Sequence, residues 1–225
     1  MKCRYPAAFA CALLNSQPMG FYAPAQIVRD AREHGIEVRP PDVNHSGWDC
    51  TLEPGGEPDG PGGGFALRLG LRQIRGLAEA DAEWIVAARG NFYADPVAVW
   101  RRAGVGPAVL ARLAGADAFR SMGLERREAL WAVKALGASP LPLFEAAGEE
   151  DRGEEPEVTL PPMTEGEAVT ADYRTIRLTL RRHPLALLRD RLGRDLPADR
   201  LVDARDGRRV SVAGLVLVRQ RPGTA

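Results

Sequence analysis

Lysine is nearly missing from this 225-residue chain, with Lys2 and Lys134 the only two, and its other basic charges are arginines. Alongside abundant alanine, glycine and proline this reads as GC-rich coding bias, so arginine content alone carries little functional weight. Cysteine is scarce too. Cys3, Cys11 and Cys50 form an odd set without paired ligand spacing, and His34, His45 and His183 are far apart. A disulfide scaffold and a zinc knuckle are therefore excluded as readings. No apolar run approaches membrane-spanning length, and the N-terminus lacks the basic, apolar and small-residue succession of a signal peptide. No membrane partner is expected, and the cytoplasm is the default location. Nor is there net charge: 30 basic residues balance 30 acidic ones, which removes any bulk electrostatic case for nucleic acid.

What charge there is falls in blocks. Glu145, Glu149, Glu150, Asp151, Glu154, Glu155 and Glu157 face only Arg152, whereas Arg174 to Arg194 holds seven arginines against Asp190 alone. These read as separate surfaces.

The most informative local feature is Gly104-Val105-Gly106 between two helices. Asp95 as N-cap, Pro96 in the first turn and apolar Val97, Val99 and Trp100 mark the helix before it, and Pro107, Leu110 and Leu113 mark the one after. Two glycines allow a turn with positive φ and leave no side chain between the amides and a ligand. The following helix aims free N–H groups and partial positive charge at an anion. Arg101 and Arg102 flank the turn. A plain helix C-cap in an ordinary helical hairpin is the alternative. A weaker copy stands upstream in Gln73-Ile74-Arg75-Gly76-Leu77-Ala78, where Ala78 replaces the second glycine and Arg72 and Arg75 are placed to reach a phosphate. Leu77, Ala80, Trp84, Ile85 and Ala88 are expected on one face of the helix after it. A pair of such hairpins suits a nucleic-acid backbone grip that positions a duplex without reading its sequence.

The rest of the chain supplies a frame. Helices are expected from Tyr5 to Leu14 and from Ala23 to His34, then short strands at Ile36-Glu37-Val38 and around Trp48 to Leu52. A glycine- and proline-rich loop from Glu53 to Gly64 follows. Alternation in Phe65, Leu67, Leu69 and Leu71 places these four on one face of a strand. A helix from Leu124 to Leu136 should bury Leu130, Val133 and Leu136 and stop at Gly137, after which residues 140–144 leave the domain. Glu145 to Pro162 reads as a solvated linker. Beyond it come a helix around Asp172 to Leu180, a break at His183-Pro184-Leu185, a short helix to Leu192 and a strand from Val210 to Arg219. Trp48, Trp84, Trp100 and Trp131 are expected to be buried anchors.

Other candidate chemistry is weak. Of Glu79, Asp81 and Glu83, only the four-apart pair shares a helix face, which suits a solvated pair better than a metal site. His183 reads as a helix boundary more readily than as a general base. Arg181, Arg182, Arg189 and Arg191 are open to two readings, DNA contact or a solvated basic face. No catalytic residue and no metal ligand is assigned.

Several long runs carry a family resemblance. LLNSQPMGFYAPAQIVRDAREHGIEVRPPDVN (13–44), GLRQIRGL (70–77), REALWAVKALG (127–137), RRHPLALLR (181–189) and VAGLVLVRQRPGTA (212–225) closely resemble the bacterial error-prone DNA polymerases of the C family, paralogues of the replicative polymerase III alpha subunit. NSQPMGFY is the most discriminating piece. The resemblance covers nearly the whole chain and implies the end of the fingers, a tandem helix-hairpin-helix segment on duplex DNA, a linker, and the opening of an OB-fold. The family's catalytic palm aspartates and its N-terminal hydrolase-like domain have no counterpart here, so Met1 reads as the start of a C-terminal fragment or as a late start codon. Five strands close an OB barrel and this chain offers about one.

The expected architecture is thus mainly α with small β elements. Residues 1–64 form the end of the fingers, 65–144 the helix-hairpin-helix region, 145–170 the acidic linker, and 171–225 a helical lead-in with a truncated OB-fold. The expected DNA-binding residues are Arg72, Arg75, Gly76, Arg101, Arg102, Gly104, Val105, Gly106, Arg181 and Arg182. The expected partners are duplex primer-template DNA and the rest of the polymerase, with a mutasome accessory protein and the sliding clamp implied by the family. No cofactor is expected in this stretch, magnesium belonging to the intact enzyme. Two other readings stay open: a self-standing DNA-binding or repair module, and an inert truncated remnant.

Overall fold

Proline sets where many of the helices begin. In the computed structural model of the protein, Pro6, Pro24, Pro96, Pro107 and Pro184 each open a helix. There the missing N–H costs nothing and the ring already supplies helical φ. The structure describes residues 2, 4–20, 22–55, 60, 63–136, 160–193 and 195–216. They fall into two units, residues 1–180 and 181–225.

In the first unit, α1 (Pro6–Asn15) and α2 (Pro24–Glu33) lie where the sequence places them. They pack beside a three-stranded sheet of β1 (Val38–Arg39), β2 (Thr51–Pro54) and β3 (Phe65–Arg68) in the order β1-β3-β2. Leu67 of the central strand pairs with Val38 in parallel and with Leu52 in antiparallel register. The first two strands start later than their apolar runs suggest. The alternation expected of β3 is also overridden: Phe65 is exposed, while Ala66, Leu67, Arg68 and Leu69 are all buried. A central strand covered on both faces has no solvent side for alternate residues.

Arg68 survives burial through Glu53, whose two oxygens accept from Nε at 2.8 Å and Nη2 at 2.9 Å, while Arg39 adds Nη1 at 2.8 Å. Glu53 thus belongs to the sheet and not to the loop predicted from it, most of which lies outside the described residues. Burial pushes the Glu53 carboxyl up, but Arg68 and then Arg39 outweigh it and hold it below its usual range. A depressed carboxyl contributes stability above its ordinary pKa, about 4.3, and loses it as pH falls through the lower folded value. Urea midpoints should therefore fall more steeply below about pH 5 in the wild type than in Glu53→Gln. Equal acid limbs would show that the arginines do not tune this group.

The helices that follow are α3 (Glu79–Ala88), α4 (Pro96–Ala103), α5 (Pro107–Gly115) and α6 (Arg126–Lys134), with α7 (Glu165–Thr175) packed against α5. Helix α7 starts seven residues before the predicted Asp172 because Thr164 and Glu167 cap it reciprocally. Thr164 Oγ1 accepts from the Glu167 N–H at 3.3 Å, and Glu167 Oε2 accepts from the Thr164 N–H at 2.9 Å. Leu130 and Leu136 are only partly buried, and the core side of α6 is Arg126, Ala129 and Val133.

Two tryptophans correct the sequence reading. Trp84 is 66% exposed and Trp131 is 56% exposed, whereas Trp48 and Trp100 are partly buried against the core. In α3 the buried residues are Ala82 and Ile85, and Trp84 sits about 200° around the helix from Ala82. Trp131 likewise stands two residues from both Ala129 and Val133. Helical phase, not residue size, decides which side chains face inward.

The second unit has α8 (Pro184–Leu192), a 3-10 turn Ala198–Asp203 and one parallel bridge between Leu196 and Val212. The strand predicted from Val210 is not formed among the described residues, where Val210, Val212 and Val216 are exposed. Residues 217–219 of that strand, Gly137, the 140–144 run and most of the acidic segment (145–159) lie outside the described residues, as does Cys3.

Candidate nucleic-acid interface

The hairpin at residues 104–106 is built by opposite demands on its three residues. Gly104 ends α4 with φ +66°, a left-handed conformation that costs an L-residue about 1–2 kcal/mol, and its N–H donates to Trp100 O at 3.1 Å. Val105 turns its side chain inward and is 4% exposed, which anchors the bend on the core. Gly106 is the N-cap of α5 in extended backbone, φ −71° and ψ 161°, and its carbonyl accepts from Val109 at 2.9 Å. Both glycines are exposed, and a Cβ built on either meets nothing within 4 Å. The N–H groups of Val105, Gly106 and Ala108 make no hydrogen bond to any described residue. Asp95 caps the other end of α4, its Oδ1 accepting from Ala98 at 2.7 Å.

The upstream bend repeats the plan with differences. Gly76 takes φ +77°, Leu77 is buried as Val105 is, and Ala78 is the extended N-cap of α3. Two of its amides are already used, however. Arg75 N–H donates to Thr175 O at 2.8 Å and Leu77 N–H to Ile74 O at 3.2 Å. The first turn of α3 also carries Glu79 and Asp81, whereas that of α5 carries no acid.

The arginines named from sequence divide sharply. Arg75 and Arg101 are exposed, and their guanidinium groups have no hydrogen-bond or ion-pair partner among the described residues. Arg72 is committed elsewhere: Nη1 donates to Asn15 O at 2.8 Å and to Asp49 at 2.6 Å, and Nη2 to Gln17 O at 2.8 Å. It ties the NSQP segment to the sheet edge. Arg102 reaches back over the Tyr93 ring, 4.7 Å from its centroid, and donates to the carbonyls of Phe92, Ala88 and Arg89, capping the C-terminus of α3. Both side chains work in the fold. Arg181 and Arg182 belong to the second unit. Arg112, which no local pattern singled out, lies with Nε 3.3 Å from the Cβ position of Gly76.

A buried polar web sets the hairpins on the sheet. Asp42 accepts from Asn44 N–H at 2.8 Å and from Ser121 Oγ at 2.7 Å. Asn44 accepts from Tyr93 N–H at 2.7 Å and donates to Tyr93 O and Ser121 Oγ at 3.0 Å each. Ser46 Oγ donates to Leu69 O at 2.7 Å. Asp42, Asn44 and Ser46 at alternating positions of PDVNHS were the available signal, and sequence reasoning read past it. With its members bonded to one another and to backbone groups of separate segments, such a web specifies one arrangement of neighbouring elements.

The other candidate polar groups have simpler places in the fold. His183 Nδ1 accepts from Leu185 N–H at 3.2 Å and so caps α8. Glu79 and Glu83 are exposed on α3. Among the described residues no three His, Cys, Asp or Glu side chains converge where a metal ion could sit. No helix among them is long and apolar enough to cross a membrane.

A family profile described as helix-hairpin-helix motif matches residues 35–129, which takes in both bends and the polar web beneath them. Along its full length the chain is similar to an error-prone DNA polymerase of Ruegeria pomeroyi at 59% identity and to error-prone DNA polymerase 2 of Rhizobium meliloti at 56%. It is 54% identical to error-prone DNA polymerase 3 of Agrobacterium fabrum, again over the whole chain. The chain spans 20–21% of the length of these relatives.

Proposed function

The chain belongs to the error-prone DNA polymerase family, and from that premise we propose that it grips the sugar-phosphate backbone of duplex primer-template DNA without reading sequence. The observation that carries this is the Gly104-Val105-Gly106 bend. Its buried valine fixes the loop, its open glycines leave room for a phosphate, and three amides with no partner among the described residues lie at the N-terminus of a helix with no acid in its first turn. Backbone amides on a phosphate position a duplex and say nothing about bases. Nucleotide addition and the magnesium it needs then belong to other parts of the polymerase, and this stretch keeps the template in place during translesion synthesis, in replication and in damage repair. The OB-like end beyond Arg181, the cytoplasmic setting, the mutasome accessory protein and the sliding clamp complete the reading.

The test is binding of the chain to labelled random-sequence duplexes, followed by fluorescence anisotropy at several salt concentrations. Affinity should be indifferent to sequence and fall linearly with salt on logarithmic axes, as released counterions require. A chain that ignores duplex DNA at low salt, or prefers one sequence, sinks the proposal.

A further inference from the structure

The upstream bend suits an anion less well than the downstream one does. Its Arg75 and Leu77 amides are spent on Thr175 and Ile74, its second glycine is Ala78, and Glu79 and Asp81 in the first turn of α3 oppose an incoming anion. An acidic first turn cancels the attraction of a helix N-terminus for negative charge. Yet the bend is exposed, one guanidinium group lies against it and a second arginine adjoins it in the chain. Arg75 precedes Gly76 in the chain and is exposed, and Arg112 comes across from α5 to place Nε 3.3 Å and Cδ 3.8 Å from the Gly76 Cβ position. Neither has a carboxylate within ion-pair distance among the described residues, although Glu79 stands only four residues from Arg75. By contrast Arg72, Arg102, Arg120 and Arg126 are all engaged by the protein itself.

We infer that Arg75 and Arg112 form a second phosphate site, a guanidinium pair over the Gly76 bend that holds the duplex backbone through side chains where the other hairpin uses main-chain amides. The inference rests on the backbone grip proposed above and deepens it. Guanidinium groups suit this place because they are always charged and offer paired donors to phosphate oxygens. Gly76 has a role beyond its positive φ: with hydrogen in place of Cβ, the Arg112 stem can lie against the bend without a clash.

The two modes are separable by salt. A guanidinium that neutralises a phosphate releases counterions, whereas an amide does not. Arg75→Ala and Arg112→Ala should each make the logarithmic salt slope of duplex binding shallower by about 1, and the double variant by about 2. Arg112→Lys should keep the slope, and Gly106→Val should weaken binding with the slope intact. Both arginines are exposed, so melting temperatures should stay at the wild-type value, which a thermal melt of each variant verifies. Wild-type slopes in Arg75→Ala and Arg112→Ala overturn the guanidinium pair while leaving the amide grip standing. A Gly106→Val variant that binds normally overturns the amide grip alone. If the wild-type chain does not bind duplex, both fall.

Discussion

Gly106→Val will fold like the wild type and bind duplex DNA roughly 10- to 100-fold more weakly, the loss of one or two hydrogen bonds to a charged group at about 1.5 kcal/mol each. Gly106 has φ −71°, which any residue adopts, and an added Cβ meets nothing within 4 Å of the protein. Its unfolded chain has less freedom than one with glycine, so stability should hold or rise slightly. The methyl groups would instead occupy the space through which a phosphate approaches the amides. Gly104→Val is the informative contrast. There φ is +66°, so a β-branched residue strains the backbone by about 1–2 kcal/mol or unwinds the α4 end. Gly104→Val should lose stability as well as affinity, and Gly106→Val affinity alone. Thermal melts and anisotropy on the same preparations check both, and normal binding by Gly106→Val would remove the main-chain grip.

Arg126→Ala should destabilise the first unit by about 3–5 kcal/mol, because it removes one member of a buried ion pair. The side chains of Arg126 and Asp172 are 5% and 9% exposed. Arg126 Nη2 donates to Asp172 Oδ1, Nη1 donates to Ala168 O at 2.9 Å, and Asp172 Oδ2 accepts from Thr179 Oγ1 at 2.7 Å. This pair joins α6 to α7, and α7 in turn packs on the hairpin helix α5. At roughly 2–4 °C per kcal/mol for a chain of this size, the melting temperature falls by about 6–20 °C. The cost comes from breaking a buried pair on one side only, so Arg126→Met with Asp172→Leu should recover most of it. A single variant that melts within about 2 °C of wild type would show that the pair is not the tie between these helices.

Much of the frame was legible. Proline at the first turn, Asp95 as a cap and glycine at positive φ are local signals, and α1, α2, α4, α5 and both bends lie where those signals place them. The errors share a cause. Trp84 and Trp131 were read as anchors because large apolar side chains usually bury, but neighbouring alanines and Ile85 occupy the inward phase of their helices. That Arg72 and Arg102, which flank the bends, are engaged by backbone carbonyls of other segments is equally invisible to local pattern. Arg112 was passed over because it approaches Gly76 from another helix.

Chain chemistry alone settled where the turns and helix starts fall, since φ preference, a missing amide hydrogen and a capping oxygen act over a few bonds. Which arginines stay free, which face of each helix turns inward and how the two hairpins meet came from packing. Those outcomes depend on carbonyls, carboxylates and apolar surfaces brought together from remote positions, and no local pattern encodes their distances.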